Sequence, residues 1–177
     1  MNPKELIERA LQLYNLAINS LENGDFIDAC EKAWGAIENI RKALLVKIGI
    51  SYNSAKSISI GIPIFTRLLK GVGKKDLLEK YTYFNYKLHV MGFYENVTED
   101  WEIEEIIREE LPLWIDRMCK LIDTVDINLS EAEKIVREME RLKRKLVLTH
   151  AEMSVLRSKL EETMNKHIQK MKKAGTH

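Results

Sequence analysis

Three prolines and eight glycines in 177 residues leave too little punctuation for the many tight turns of a β fold. What the chain has instead is long apolar periodicity at helical spacing. Leu6, Ala10, Leu13, Ala17 and Leu21 repeat at steps of three and four behind Asn2-Pro3, a helix cap with proline in the first turn. Asn23-Gly24 ends that helix and Asp25 caps the next. Phe26, Cys30, Ala33, Ile37, Ile40, Leu44 and Ile48 then run down one face as far as Gly49. Ala29, Ala33, Ala36 and Ala43 keep the second helix slim, so the first can pack closely against it as an antiparallel hairpin.

Further along, residues 50–61 are weakly patterned and read as a loop with at most one short helical turn. Pro63 is expected to start a short helix that closes at Gly71-Val72-Gly73. The next helix runs from about Lys74 to Met91, with Gly92 as its terminating residue. Thr98 with Glu99 and Asp100 signals another, to about Val125, kinked at Pro112. Ser130 and Glu133 have the spacing of a capping box at the start of the last helical region. There Ile135, Met139, Leu142, Leu146, Thr149, Met153, Leu156, Leu160, Thr163 and His167 alternate in heptad steps. A straight helix of about 45 residues would span roughly 65 Å, so this segment either pairs with a second chain or folds back near His150. The unbroken step pattern favours pairing. The expected fold is all-α: an up-and-down helical bundle over 1–126 with a C-terminal helical or coiled-coil extension over 127–177.

Charge adds one asymmetry. The net charge is +1, yet residues 127–177 carry twelve Lys/Arg against seven Asp/Glu, which leaves the preceding body net negative. A basic segment on an acidic body points to an anionic partner, with Arg141, Lys143, Arg144, Lys145 and His150 as the contacts it would use. Cys30 and Cys119 lack the spacing of a zinc site. Only two glutamines against nineteen isoleucines fit a thermophilic source. No apolar run reaches membrane-spanning length and no leader pattern opens the chain, so a cytoplasmic protein without membrane contact is expected.

Chemistry concentrates in residues 83–96, YFNYKLHVMGFYEN. Leu77, Tyr81, Phe84, Leu88 and Met91 form the apolar stripe of this helix. Asn85 and His89, four residues apart, share its shoulder, and Lys87 lies on the other side. With Tyr94 and Glu95 they are the candidate ligand-binding residues, and His89 is the candidate catalytic base. A nearby Glu95 carboxylate would raise the His89 pKa. No nucleophile is legible beside His89. Gly71-Val72-Gly73-Lys74-Lys75 lacks the ending of a phosphate-binding loop, and there is neither a GxGxxG nor an HExxH run. Glu102, Glu104, Glu105, Glu109 and Glu110 have no histidine partners, so neither a metal nor a cofactor is expected.

Two stretches carry a family resemblance. LENGDFIDACEKAWGAIENIRKALLVKIGI (21–50) resembles the first hairpin of HEPN-type helical domains, and KLHVMGFYEN (87–96) resembles a signature of archaeal PaREP-type proteins. The resemblance covers about 5–125 and implies a four- or five-helix, frequently dimeric bundle. Active HEPN members are metal-independent ribonucleases, several of them toxins paired with a nucleotidyltransferase-like antitoxin. Their site combines an arginine, a polar residue and a histidine four to six residues beyond the arginine. Here His89 matches the histidine and Asn85 the polar residue, but Phe84 stands where the arginine belongs. Arg144 and His150 repeat the spacing in the heptad region. The expected function is a homodimeric, non-enzymatic module for a nucleotide, an RNA or a partner protein. A ribonuclease and a coiled-coil adaptor are the alternatives.

Overall fold

The computed structural model describes residues 1–144 and 150–174, and no strand occurs among them. The helices are α1 (Pro3–Glu22), α2 (Phe26–Lys47), α3 (Tyr52–Lys56), α4 (Ile58–Gly71) and α5 (Lys75–Phe84). After them come α6 (Asp100–Glu105), α7 (Leu111–Thr124), α8 (Ser130–Arg144) and α9 (His150–Ala174). Two π-helical stretches interrupt the series. Asn85–Tyr94 continues α5, and Ile106–Glu110 joins α6 to α7. The chain forms two compact units, Met1–Leu44 with Lys75–Thr124, and Leu45–Lys74 with Val125–His177.

In the first unit, α1 begins with the expected cap. The Asn2 side chain accepts from the Glu5 backbone N–H at 2.9 Å, and Glu5 reaches back to the Asn2 N–H at 3.0 Å. Leu6, Ala10, Ala17 and Leu21 are buried, as are Ala29, Cys30, Ala33, Ile37 and Ile40 of α2. Each large aliphatic among them contributes roughly 1.5–3 kcal/mol by leaving water. From the other side the core takes Leu77, Phe84, Leu88, Ile103, Ile107 and Trp114. The Trp114 indole donates to the Leu77 carbonyl at 2.9 Å, satisfying its one polar group. Pro112 stands in the first turn of α7. The residue it would bond, Arg108, lies in the π-helical stretch, where the Leu111 N–H reaches back to Ile106. Widening the coil just before a proline accommodates its ring and missing donor.

The second unit departs further from expectation. Residues 50–61 are not a loop: α3 is capped by the Ser51 side chain, and α4 starts at Ile58, five residues before Pro63. Ala55, Ile60, Ile64 and Phe65 are buried there, so tertiary packing overrides weak local patterning. Ser130 and Glu133 do not close a capping box. Instead Glu133 accepts from the Ser51 N–H (2.6 Å), the Ser51 and Ser54 hydroxyls (2.9 and 2.7 Å) and Arg137 (2.8 Å). Burial raises its pKa, but those four donors outweigh burial and hold it below the usual carboxylate value. Gly49, at φ +86°, lies against the Asn128 side chain, where any Cβ would collide.

The C-terminal segment is two helices, not one. α8 and α9 pack on each other and both pack on α4. Buried positions are Ala132, Val136 and Met139 on α8, and Leu160, Met164 and Ile168 on α9. Their steps of three and four place them on one face of each helix. Of the seam residues, Leu146 and Thr149 lie outside the described residues.

Candidate functional site

The densest chemistry is in the first unit, where the Asn85–Tyr94 stretch faces α2. Its hydrogen bonds run one residue further back than in an α-helix, so the Glu95 N–H donates to the Val90 carbonyl at 3.0 Å. Such wide turns occur often at functional sites. Gly92 is not a helix terminator. It sits buried inside this stretch, where an added Cβ would stand 2.5 Å from Cys30 Sγ and 3.0 Å from the Lys87 carbonyl oxygen. The glycine therefore lets the wide coil lie directly on α2. Burial pushes the Cys30 thiol up to about 12, which keeps it an inert packing group.

This close approach gathers aromatic rings around His89. The imidazole stacks on Trp34 with ring centroids 4.9 Å apart and planes 20° from parallel. Phe93 lies parallel to it at 6.5 Å, and Tyr94 meets it edge-on at 4.9 Å. Tyr94 is 69% exposed, so the cluster opens to solvent through its ring. Behind Trp34, at 5.6 Å, stands Tyr81. The Tyr81 hydroxyl donates to Glu38 at 2.9 Å, and the guanidinium of Arg41, only 1% exposed, grips the same carboxylate at 2.9 and 2.8 Å. Burial raises the Glu38 pKa, but Arg41 and the tyrosine hydroxyl outweigh it and hold the group ionised below its ordinary value.

The residues expected from sequence separate here. His89 and Tyr94 come together. Asn85 is half-buried, and among the described residues its side chain makes no hydrogen bond to the cluster. Lys87 pairs with Glu102 at 2.6 Å, and its carbonyl accepts from Thr98. Glu95 is exposed, and among the described residues no ion pair joins it to His89. The charge acting on His89 comes from Glu38, and burial outweighs it, so the pKa is lowered from 6.5, opposite to the direction expected from Glu95.

Arg141 and Lys143, expected to meet an anion, pair with Glu138 and Glu140 on the exposed face of α8. Lys145 and the link from Arg144 to His150 fall outside the described residues. Sequence reasoning missed Trp34, Glu38 and Arg41. Their spacing of four and three along α2 places them on one face and was the available signal. Among the described residues, no cluster of three or more His, Cys, Asp or Glu could hold a metal, and no helix is long and apolar enough to cross a membrane.

A lowered histidine pKa has a definite sign. The folded state resists protonation, so its stability is full above 6.5 and falls as pH drops through that value toward the folded pKa. A proton NMR titration of His89 should therefore give a midpoint below 6.5, and His89→Gln should flatten this part of the stability profile. A midpoint above 6.5 would mean that a carboxylate dominates after all.

Fold and site together define an all-helical protein with a histidine-centred aromatic cluster on a π-helical turn. The model of the archaeal PaREP1/PaREP8 family matches residues 5–111, which include the whole cluster, and the chain belongs to that family. No curated protein and no solved structure matches the chain.

Proposed function

We propose that the chain is a HEPN-like helical binding module. Its Trp34–His89–Phe93–Tyr94 shelf receives basic and aromatic side chains of a partner protein. The observation that carries this reading is the stacked, partly exposed ring cluster, because exposed aromatic faces take up cationic and planar groups. The surroundings are acidic. Glu95, Glu99 and Asp100 follow the cluster in sequence and are exposed, and Trp101, 65% exposed, borders the adjoining recess. Phosphates would be repelled there, and a basic segment attracted.

The same residues argue against phosphodiester cleavage. The arginine position of the ribonuclease site is Phe84, a fully buried core residue. Arg41 is committed to Glu38, and Lys87 to Glu102. Among the described residues, a developing negative charge would find no uncommitted guanidinium beside His89.

The test is quenching of Trp34 and Trp101 fluorescence during titration with an Arg/Tyr-containing peptide and, separately, with oligouridylate. The peptide should saturate, with roughly fivefold weaker binding after Tyr94→Ala, as expected for one lost cation–π contact. Tighter binding of the RNA, or RNA cleavage lost in His89→Ala, would replace this reading with the ribonuclease.

A further inference from the structure

The second unit contains a groove of a different character. α4 supplies Arg67, Lys70 and Gly71, and α9 supplies Glu161, Met164, Asn165 and Ile168, around a cavity of about 310 Å³. Both sets follow helical spacing, so each is one face of its helix. Gly71 is what brings the helices this near, since a Cβ there would collide with the Ile168 side chain.

Its cations are uncommitted. Arg67 and Lys70 form no ion pair among the described residues, in contrast to Lys87, Arg117 and Arg137. Arg67 Nη1 makes only a long 3.4 Å contact to the Pro63 carbonyl, and its Nε is buried with no hydrogen-bond partner. The Nε lies beneath the surface, so a ligand in the groove would meet the Nη groups of this guanidinium. Lys70 sits at the C-terminal end of α4, where bare carbonyls would repel an anion. Those carbonyls are already used: Val72, Gly73 and Lys74 donate to Leu68, Lys70 and Leu69.

We propose that this groove binds a small hydroxylated phosphate monoester, of the size and type of a sugar phosphate. Arg67 and Lys70 hold the phosphate, the guanidinium through its planar fork. Glu161 and Asn165 accept and donate to hydroxyl groups, and Met164 and Ile168 cover the carbon skeleton. Glu161 gives the site its selectivity. A carboxylate in the groove disfavours a bare inorganic anion, and a ligand carrying hydroxyl donors compensates it. The cavity volume is at the small end of ligand sites, in keeping with a small ligand.

Titration of the full chain with ribose 5-phosphate, inorganic phosphate and ribose, followed by calorimetry and backbone amide shifts, tests this. Ribose 5-phosphate should bind saturably, with shifts confined to residues 67–71 and 161–168. Inorganic phosphate should bind at least about tenfold more weakly, and ribose not measurably, because the charge-assisted bonds go to the ester's phosphate. Arg67→Met and Lys70→Met should each weaken binding about tenfold with unchanged helicity, and Glu161→Gln should narrow the gap between the two phosphates. The proposal is overturned if the unaltered chain shows no saturable binding or places its shifts elsewhere. Equal affinity for inorganic phosphate would also overturn it, and no variant is needed for any of these outcomes.

Discussion

Arg41→Met should lower stability by about 3–5 kcal/mol, the range seen when one partner of a buried ion pair is removed. The guanidinium is 1% exposed, and its departure leaves Glu38 charged and four-fifths covered, with the Tyr81 hydroxyl and the Lys42 charge as the remaining influences that favour its ionised form. The pH dependence identifies the cause. In the intact protein Glu38 has a depressed pKa, so its contribution is present above the ordinary value of 4.5 and is lost as pH falls through the folded pKa. Without Arg41, burial is the main remaining influence and raises that pKa, so protonation now relieves the folded state. Urea melts at pH 7 and pH 4 should therefore show the deficit of the variant shrinking on acidification. Pairing it with Glu38→Leu should recover much of the loss, since an apolar pair of similar volume needs no compensation. A deficit below about 1 kcal/mol, or one independent of pH, would show that this buried pair is not what anchors Trp34 and Tyr81.

Gly92→Ala should destabilise the protein by about 1–3 kcal/mol, even though alanine is the better helix former by about 1 kcal/mol. The added methyl has no room, because Cys30 Sγ would be 2.5 Å away and the Lys87 carbonyl 3.0 Å. A side chain can be trimmed but a carbonyl cannot. Cys30→Ala should thus rescue part of the loss, giving a coupling of about 1 kcal/mol in a double-mutant cycle. Near-ultraviolet circular dichroism should change in parallel, since the wide turn would lift off α2 and unstack His89 from Trp34. A Gly92→Ala variant as stable as its parent, with an unaltered aromatic spectrum, would mean that the turn does not depend on this contact.

What could be read in advance follows the locality of the signal. The first two helices and their ends were legible because caps, glycines and a single apolar face all lie within a few residues of each other. The wide turn at Asn85–Tyr94 was not, since residue types over ten positions do not distinguish an i→i+5 coil from an α-helix. Gly92 looked like a stop because glycine usually is one, and only the position of Cys30, sixty residues earlier, shows otherwise. The same holds for Glu133, whose capping role was legible locally and whose actual partners, Ser51 and Ser54, lie about eighty residues away. His89 and Tyr94 could be nominated from their neighbours. Trp34, which stacks on His89, and the Glu38–Arg41 pair behind it sit on another helix, and no short-range pattern joins the two. The grouping of Leu45–Lys74 with Val125–His177 in one compact unit joins segments far apart in sequence, and no local pattern announces it.

The wide turn has a consequence for how this segment tolerates length change. Relative to an α-helix it holds surplus chain, so its residues are out of phase with α5, which leads into it. Removing one residue between 85 and 94 would let the ladder close in α-helical register with the flanking chain nearly in phase, because the surplus residue is what distinguishes the wide turn from an α-helix. The loss would fall on contacts inside the stretch, such as that of Gly92 with Cys30. An added residue has no such outlet, and closed as α-helix it would turn every side chain beyond it by about 100°. The segment thus tolerates a change of length in one direction and not in the other.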